Sequence, residues 1–446
     1  MRRLELPWRD PWTLAWGLAA TFGREGLVWL DGDGTDLGRW SVLGVAPREL
    51  VVCRDQDPFG SLAQMAAGGG HWMGWLAYEA GAWVEPAGPW HQTDMAVLWA
   101  ARHDPVLLLD QQEQRLWLEG SDTALFHELA ARIAALPGPA RSPGADPPGG
   151  CAVPRSGPIP LDGWHWHTST ERFAEQVGQV RELIARGDLF QANLSACCEQ
   201  WLAAPVDPLA LYGQLRRHCP APFSGLAIGG SGSASPGDLG SLEAVLSASP
   251  ERFLQCSASG AVETRPIKGT RPRSSDPRAD AAAAADLVSN PKDRAENVMI
   301  VDLMRNDLGR VCGPGSIRVD QLVGLESYRQ VHHLTSVVRG QLRPGLGPVD
   351  LLRACWPGGS ITGAPKVRAC QRLTALEPVP RGPYCGSLFR MGADGSFDSN
   401  ILIRSVMLKG QRLRVHAGCG IVADSDPAGE AEELGWKLQP LLEALA

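Results

Sequence analysis

Residues 263–273 read ETRPIKGTRPR, and residues 290–309 read NPKDRAENVMIVDLMRNDLG. The first run, with the GAV before it, predicts a strand that carries Lys268 at or near its end. The second predicts a helix: Asn290 can cap it, Pro291 suits its first turn, and apolar residues follow at helical spacing. An amine set among arginines is thus followed by a helix that opens with carboxylates. Upstream, AVLSASPERFLQC (244–256) and GAVETRPIKGTR (260–271) predict two strands of a hairpin. FQANLSACCEQWL (190–202), NILIRSVML (400–408) and RLRVHAGCGIV (412–422) predict further strands. STERFAEQVGQVRELIARG (169–187) predicts a helix capped by Ser169 or Thr170, with Phe173, Val177, Val180 and Ile184 as its buried stripe and Gly187 as its end. A last helix is expected from about Ala428.

The front of the chain is rich in tryptophan. GLVWLDG, RWSVLGV, HWMGWLAYE, MAVLWAAR and PVLLLD are short, apolar and separated by turn residues, which predicts an antiparallel layer. TALFHELAARIAAL (123–136) has helical spacing. Three regions follow: a sheet-rich region 1–136, a Pro/Gly-rich linker 137–160 and a main region 161–446. A low-complexity loop is expected at 229–241.

The 446 residues include 44% hydrophobic and 20% charged ones, the balance of a globular protein, and the net charge is −7. That charge argues against a general nucleic-acid binder, although 265–273 is locally basic. No run reaches the roughly 20 apolar residues of a membrane span. No signal peptide is evident, and the scattered thiols among 11 cysteines suggest a reducing cytoplasm. Neither a P-loop nor a dinucleotide fingerprint is present. Asp293 and Glu296 share a helix face, as do Glu430 and Glu433. Such pairs are common on solvated helices. The alternative is that both helices offer oxygens to one Mg²⁺, which takes one or two carboxylates plus water and substrate oxygens.

Four segments, PIKGTR, DLMRNDLGRV, GGSITGAPK and GIVADSDP, occur in that order and together resemble the chorismate-utilising enzymes. The match is good over roughly 165–440 and faint before it, where GRWSVLGVAP and GWLAYE are degraded versions of family segments. The resemblance implies an α+β fold, a large sandwich of antiparallel sheets and helices of the anthranilate synthase component I type. It implies Glu296 and Glu433 as Mg²⁺ ligands, with Asp293 and Glu430 reaching the ion through water. Tyr384, Arg404, Gly418, Gly420 and Lys437 match the substrate-carboxylate grip. Thr362 and His333 match residues that line the ring, Thr270 belongs to the same substrate site, and Glu251 matches the acid that protonates the departing hydroxyl.

Lys268 separates branches of the family. The anthranilate-forming branch usually has alanine there. The PIKGT form resembles the branch that makes 4-amino-4-deoxychorismate from chorismate and ammonia, toward para-aminobenzoate and folate, where the lysine is thought to attack the ring. Arg265, Arg271, Arg273 and the metal would favour the neutral amine. Gln191 stands where water-using relatives carry a lysine base, which implies ammonia as the final nucleophile. No glutamine-hydrolysing domain is evident, so an amidotransferase subunit is the expected source of ammonia. Phe389 and Arg390 depart from the family pattern after YCGS, and the motif that holds feedback tryptophan is not visible. The competing readings are an anthranilate-forming enzyme and, in another class, a non-enzymatic nucleic-acid binder using 265–273.

Overall fold

The computed structural model describes residues 1–86, 88–121, 123–138, 159–230, 239–328 and 331–446. Most of the expected linker 137–160 and loop 229–241 lies outside the described residues. Two large antiparallel sheets face each other. The twelve-stranded sheet runs from Arg2–Leu6 at one edge, through Val28–Asp31, Phe223–Gly229, Glu243–Ser249, Ser405–Lys409 and Arg412–Ile421, to Gln191–Trp201 and Gly363–Ala364 at the other. The ten-stranded sheet runs from Ile267–Pro272, through Val331–Gln341, Ala261–Thr264, Arg252–Cys256, Phe397–Asn400 and Ser387–Met391, to His71–Leu76, Leu98–His103 and Glu49–Cys53. Helices cover the outer faces, as the α+β expectation requires.

Regions 1–136 and 161–446 share both sheets. Val28–Asp31 pairs with Phe223–Gly229, and His71–Leu76 pairs with Ser387–Met391. One core lies outside the first sheet, under helices Pro11–Phe22, Thr170–Ala185 and Pro427–Leu445. A second fills the space between the sheets and under helices Pro58–Gly68 and Pro291–Gly309. Trp75 and Trp99 stack at 4.9 Å in this second core. The two helices inside the Trp-rich front, Pro11–Phe22 and Pro58–Gly68, were not anticipated by a reading that saw only strands there.

The predicted hairpin is corrected in two respects, the first being that GAVETRPIKGTR is two strands, Ala261–Thr264 and Ile267–Pro272, both paired with Val331–Gln341. AVLSASPERFLQC is two strands, Glu243–Ser249 in the larger sheet and Arg252–Cys256 in the smaller. The chain steps between sheets at Pro250–Glu251, because proline offers no N–H to continue a ladder. NILIRSVML does the same: Asn400 ends a strand of the smaller sheet, and Ser405 begins one of the larger. Arg404 turns that corner at φ 50°, a left-handed conformation costly for a residue with a Cβ. The two steps lie side by side, with Ile401 N donating to Glu251 O at 3.0 Å and Ala248 N to Arg404 O at 3.0 Å.

The helix Pro291–Gly309 has the expected start, its cap Asn290 accepting from Asp293 N. Buried Asn297 ties it to the smaller sheet, donating to Leu334 O at 3.1 Å. The described cysteines are free thiols and nearly all buried. Among the described residues no helix is long and apolar enough to cross a membrane.

Glu79 locks the front of the chain to the back. Its Oε1 accepts from Gly382 N at 3.1 Å, while Oε2 is buried without a partner. Burial pushes its pKa up to about 7 from 4.5. A raised carboxyl pKa means the folded state keeps a proton that the unfolded chain has lost, so the group costs stability progressively from pH 4.5 to 7 and fully above. Glu79→Gln should therefore gain up to about 3 kcal/mol at pH 8 and little at pH 4.5, read from urea midpoints at the two pH values.

Candidate active site

Lys268 reaches the cleft through a local irregularity. Gly269 has φ 82°, and the ladder with Val331–Gln341 shifts register between Lys268 and Thr270. This glycine bulge lets residues 268 and 270 pair with the neighbouring Leu334 and His333. A Cβ on Gly269 would lie 2.8 Å from Leu287 and 3.1 Å from Asp293, so the bulge also permits close approach of the site helix.

Three of the expected residues, Glu296, Gln191 and Gly420, converge around Lys268. Its Nζ lies 4.0 Å from Glu296 Oε2. Gln191 Nε2 points at the same oxygen from 3.4 Å, a long contact, and Gln191 Oε1 is buried with no partner. A Cβ added at Gly420 would lie 2.6 Å from Gln191 Nε2, 3.0 Å from Glu296 Oε2 and 3.2 Å from Lys268 Nζ. Any side chain there would fill the space these groups surround. Gly418 shares that strand face two residues earlier, and a Cβ on it would meet Asn193 at 2.9 Å.

Glu251, at the first step between sheets, is buried beside the Ser360 side chain and feels the Lys268 charge. Burial pushes its pKa up to about 7. His333 is equally closed in: Nδ1 lies 2.8 Å from Thr270 Oγ1, and Nε2 is buried without a partner. Burial, helped by Arg404, drops its pKa to about 3, so the imidazole is neutral at ordinary pH. Arg404, at the second step, has no acidic partner among the described residues, and burial lowers its pKa. A desolvated guanidinium without a carboxylate is a place prepared for an anion.

The carboxylates form the other wall. Glu296 has its pKa raised by burial, with Lys268 and Lys292 opposing and Asp293 and Glu430 reinforcing the rise. Glu430 Oε1 accepts from Ser425 Oγ at 2.7 Å and from Lys292 Nζ at 3.0 Å. Glu433 pairs with Lys437 at 2.7 Å. Burial works against ionised Glu433, but Lys437, followed by Lys292 and Lys268, holds its pKa below the ordinary value. Lys437 also donates to Gly418 O at 2.9 Å. Ligand atoms of Cys419, Glu430 and Glu433 lie within 4.8 Å of one another. Glu430 and Glu433 are hard oxygen donors of the kind Mg²⁺ takes, whereas the Cys419 thiol is not, and Glu296 and Asp293 are not part of this close group.

Three expected residues are otherwise engaged. Asp293 is held by Arg271 at 3.2 Å. The Thr362 hydroxyl donates to Gly358 O at 2.9 Å, so it fastens the turn. Tyr384 is buried and stacks on His416 at 4.9 Å, on the strand face that carries Gly418. Arg390 lies half-buried in the strand Ser387–Met391, its Nε without a partner. The flanking arginines are not free cations. Arg265 pairs with Glu326 at 2.5 Å, Arg271 with Asp286 at 2.7 Å and Arg273 with Asp280 at 2.8 Å. The local basic run is thus balanced by carboxylates from neighbouring elements. Sequence reading missed Arg381, which is buried, chelates Glu377 and donates to Asn193 O at 2.7 Å and Ile361 O at 2.8 Å. It clamps the strand of Gln191 to the turn of Thr362, and nothing in PRGPY marks it for that.

The chain matches the chorismate binding enzyme family over residues 37–443. It is 44% identical over 284 residues to an aminodeoxychorismate synthase component 1 of Klebsiella aerogenes, an alignment covering 63% of this chain and 59% of that one. It is 38% identical over 383 residues to an aminodeoxychorismate synthase of Streptomyces griseus, covering 84% of this chain and 50% of the other. The match thus spans about half to three fifths of those relatives. Its fold superposes on anthranilate synthase component I from Streptococcus pneumoniae with a TM-score of 0.73 at 28% identity, covering 91% of this chain and 92% of the other. Motifs, fold and cleft agree, and the chain belongs to the chorismate binding enzyme family.

Proposed function

We propose that this chain converts chorismate and ammonia to 4-amino-4-deoxychorismate, for para-aminobenzoate and folate synthesis. The observation that carries this reading is Lys268 at the centre of the cleft, between Glu296, Gln191 and the space kept open by Gly420. The relatives named aminodeoxychorismate synthase support it. An anthranilate-forming enzyme, like the structural neighbour, is the second reading, and Lys268 argues against it.

Chorismate carries two carboxylates, and Arg404 and Lys437 offer them cations. Neutral His333 offers Nε2 to the ligand. Glu296 and Glu433 would hold Mg²⁺ directly, and Asp293 and Glu430 through water. That ion would supply a Lewis acid for a substrate carboxylate. The Lys268 amine, which attacks only once it has given up its proton, forms a C–N bond to the ring, the double bonds shift, and the ring C–O bond breaks. Glu251 gives its proton, so the hydroxyl leaves as water. Ammonia then bonds where the hydroxyl left, and the bond to Lys268 breaks with its electron pair returning to nitrogen. The new ammonium gives one proton to Glu251, which resets the acid. Gln191 has no proton-accepting amine with which to activate water. Ammonia would come from an amidotransferase subunit, and the cytoplasm is the compartment that suits such an enzyme.

With chorismate, Mg²⁺ and an ammonium salt, the expected product is 4-amino-4-deoxychorismate; anthranilate with pyruvate would sink the reading. Without ammonia, Lys268 should carry an adduct of mass chorismate minus water, mapped to 263–273. Lys268→Ala should lack it and lose most turnover. Lys268→Arg should do no better, since a guanidinium stays protonated. Substantial activity in Lys268→Arg with no adduct in the wild type would leave the lysine a binding group only.

EDTA should abolish turnover and excess Mg²⁺ restore it. Glu296→Gln and Glu433→Gln should each cost about a hundredfold or more while still folding. Full activity in either variant removes that residue from the metal shell.

Glu251 acts as an acid, and its pKa of about 7 leaves less of the protonated form as pH rises. At fixed free ammonia, kcat/KM for chorismate should fall above pH 7. Glu251→Gln should be slow and lack that limb.

A further inference from the structure

Lys292 stands in the first turn of the helix that carries Asp293 and Glu296. Its side chain reaches away from that helix to the C-terminal one, where Nζ lies 3.0 Å from Glu430 Oε1. The ammonium also lies in the field of Glu296 and Glu433. Carboxylates from two helices therefore face the ammonium of a half-exposed lysine, its side chain 44% accessible. The other charges around it are already matched: Lys437 with Glu433, Arg271 with Asp293, and Lys268 toward Glu296. Without Lys292, Glu430 would be a buried carboxylate with no cation paired to it among the described residues.

We propose that Lys292 is the resident cation of the metal-free cleft and that a divalent ion displaces it on binding. This rests on the metal reading given above. Both cations neutralise the same carboxylates, and two positive charges at that spacing repel. The geometry says which group yields. Glu430 is pinned by the Ser425 hydroxyl at 2.7 Å, whereas Lys292, among the described residues, has Glu430 as its sole hydrogen-bond partner and a flexible four-carbon stem. The lysine swings out, and the carboxylate stays. The clasp between the two helices is kept before the ion arrives, at the expense of affinity for it.

The test is Mn²⁺ binding, read from the paramagnetic resonance signal of the free ion, with melting temperature as a second readout. Lys292→Met should bind Mn²⁺ about fivefold more tightly than the wild type, the order of a half-exposed ion pair. In EDTA it should melt lower, and it should gain more on adding Mn²⁺. Lys292→Arg, which keeps a cation, should match the wild type. Equal or weaker binding by Lys292→Met overturns the exchange and makes the lysine a residue that positions Glu430 for the ion. Should Lys292→Met not fold, wild-type protein carrying ¹³C-methylated lysines decides: the Lys292 methyl signal, identified by its absence from Lys292→Arg, must shift on adding Mg²⁺, and a fixed signal overturns the proposal. Failure of the wild type to bind Mn²⁺, or full binding by Glu433→Gln, would instead sink the metal reading and this inference with it.

Discussion

The site depends on two neighbouring places where the backbone leaves one sheet for the other. At Ser249–Glu251 and at Ile401–Arg404 the chain crosses the gap, and the crossings are stitched together. Ser249 Oγ donates to Ile401 O at 2.6 Å, and Ile401 N to Glu251 O at 3.0 Å. A crossing strand must present its side chains to the seam rather than to a sheet face. That is how a carboxyl and a guanidinium come to be buried where apolar residues would otherwise pack. Burying both is costly. The two flanking cores, which include Trp29, Trp75 and Trp99, offset that cost.

Around the seam, charges are balanced locally rather than by the chain's overall charge. The arginines of 265–273 are each answered by a carboxylate from a neighbouring element. The acids at the mouth are answered by lysines. Among the described residues, the groups left unanswered at the cleft include Arg404, the Nε2 of His333 and the Oε1 of Gln191, beside the volume in front of Gly420. A buried polar group without a partner is uncommon in a folded protein. Here several border one cleft, which is the pattern of a site made for a small anion with polar edges.

Much of this was legible in the sequence. The helices Thr170–Ala185 and Pro291–Gly309 carry their own start signals, and the strands Gln191–Trp201 and Arg412–Ile421 keep their apolar alternation. The convergence of Lys268, Glu296 and Gly420 followed from order and family resemblance. The helices Pro11–Phe22 and Pro58–Gly68 were missed because their sequences are too uniformly apolar to show a stripe. Yet each opens with an Asp–Pro pair, as do those at Pro208, Pro277 and Pro427, and that signal was there to use. The crossings were not legible, because a strand that changes sheets keeps the same alternation on both sides. Pairings such as Arg271 with Asp286, or Lys292 with Glu430, are set by tertiary neighbours that spacing along one element cannot reveal.

The sharing of both sheets by the two regions bears on how the molecule is made. Val28–Asp31 has no inner neighbour until Phe223–Gly229 exists, and the carboxylate wall waits for the helix that begins at Pro427. Such distant pairings are slow to form and leave strand edges open meanwhile. During synthesis the front of the chain must spend a long interval as an unfinished sheet, a natural client for chaperones. Lys268 is made well before the acids Glu430 and Glu433 that face it. A nascent chain therefore holds the amine before the cleft around it is complete.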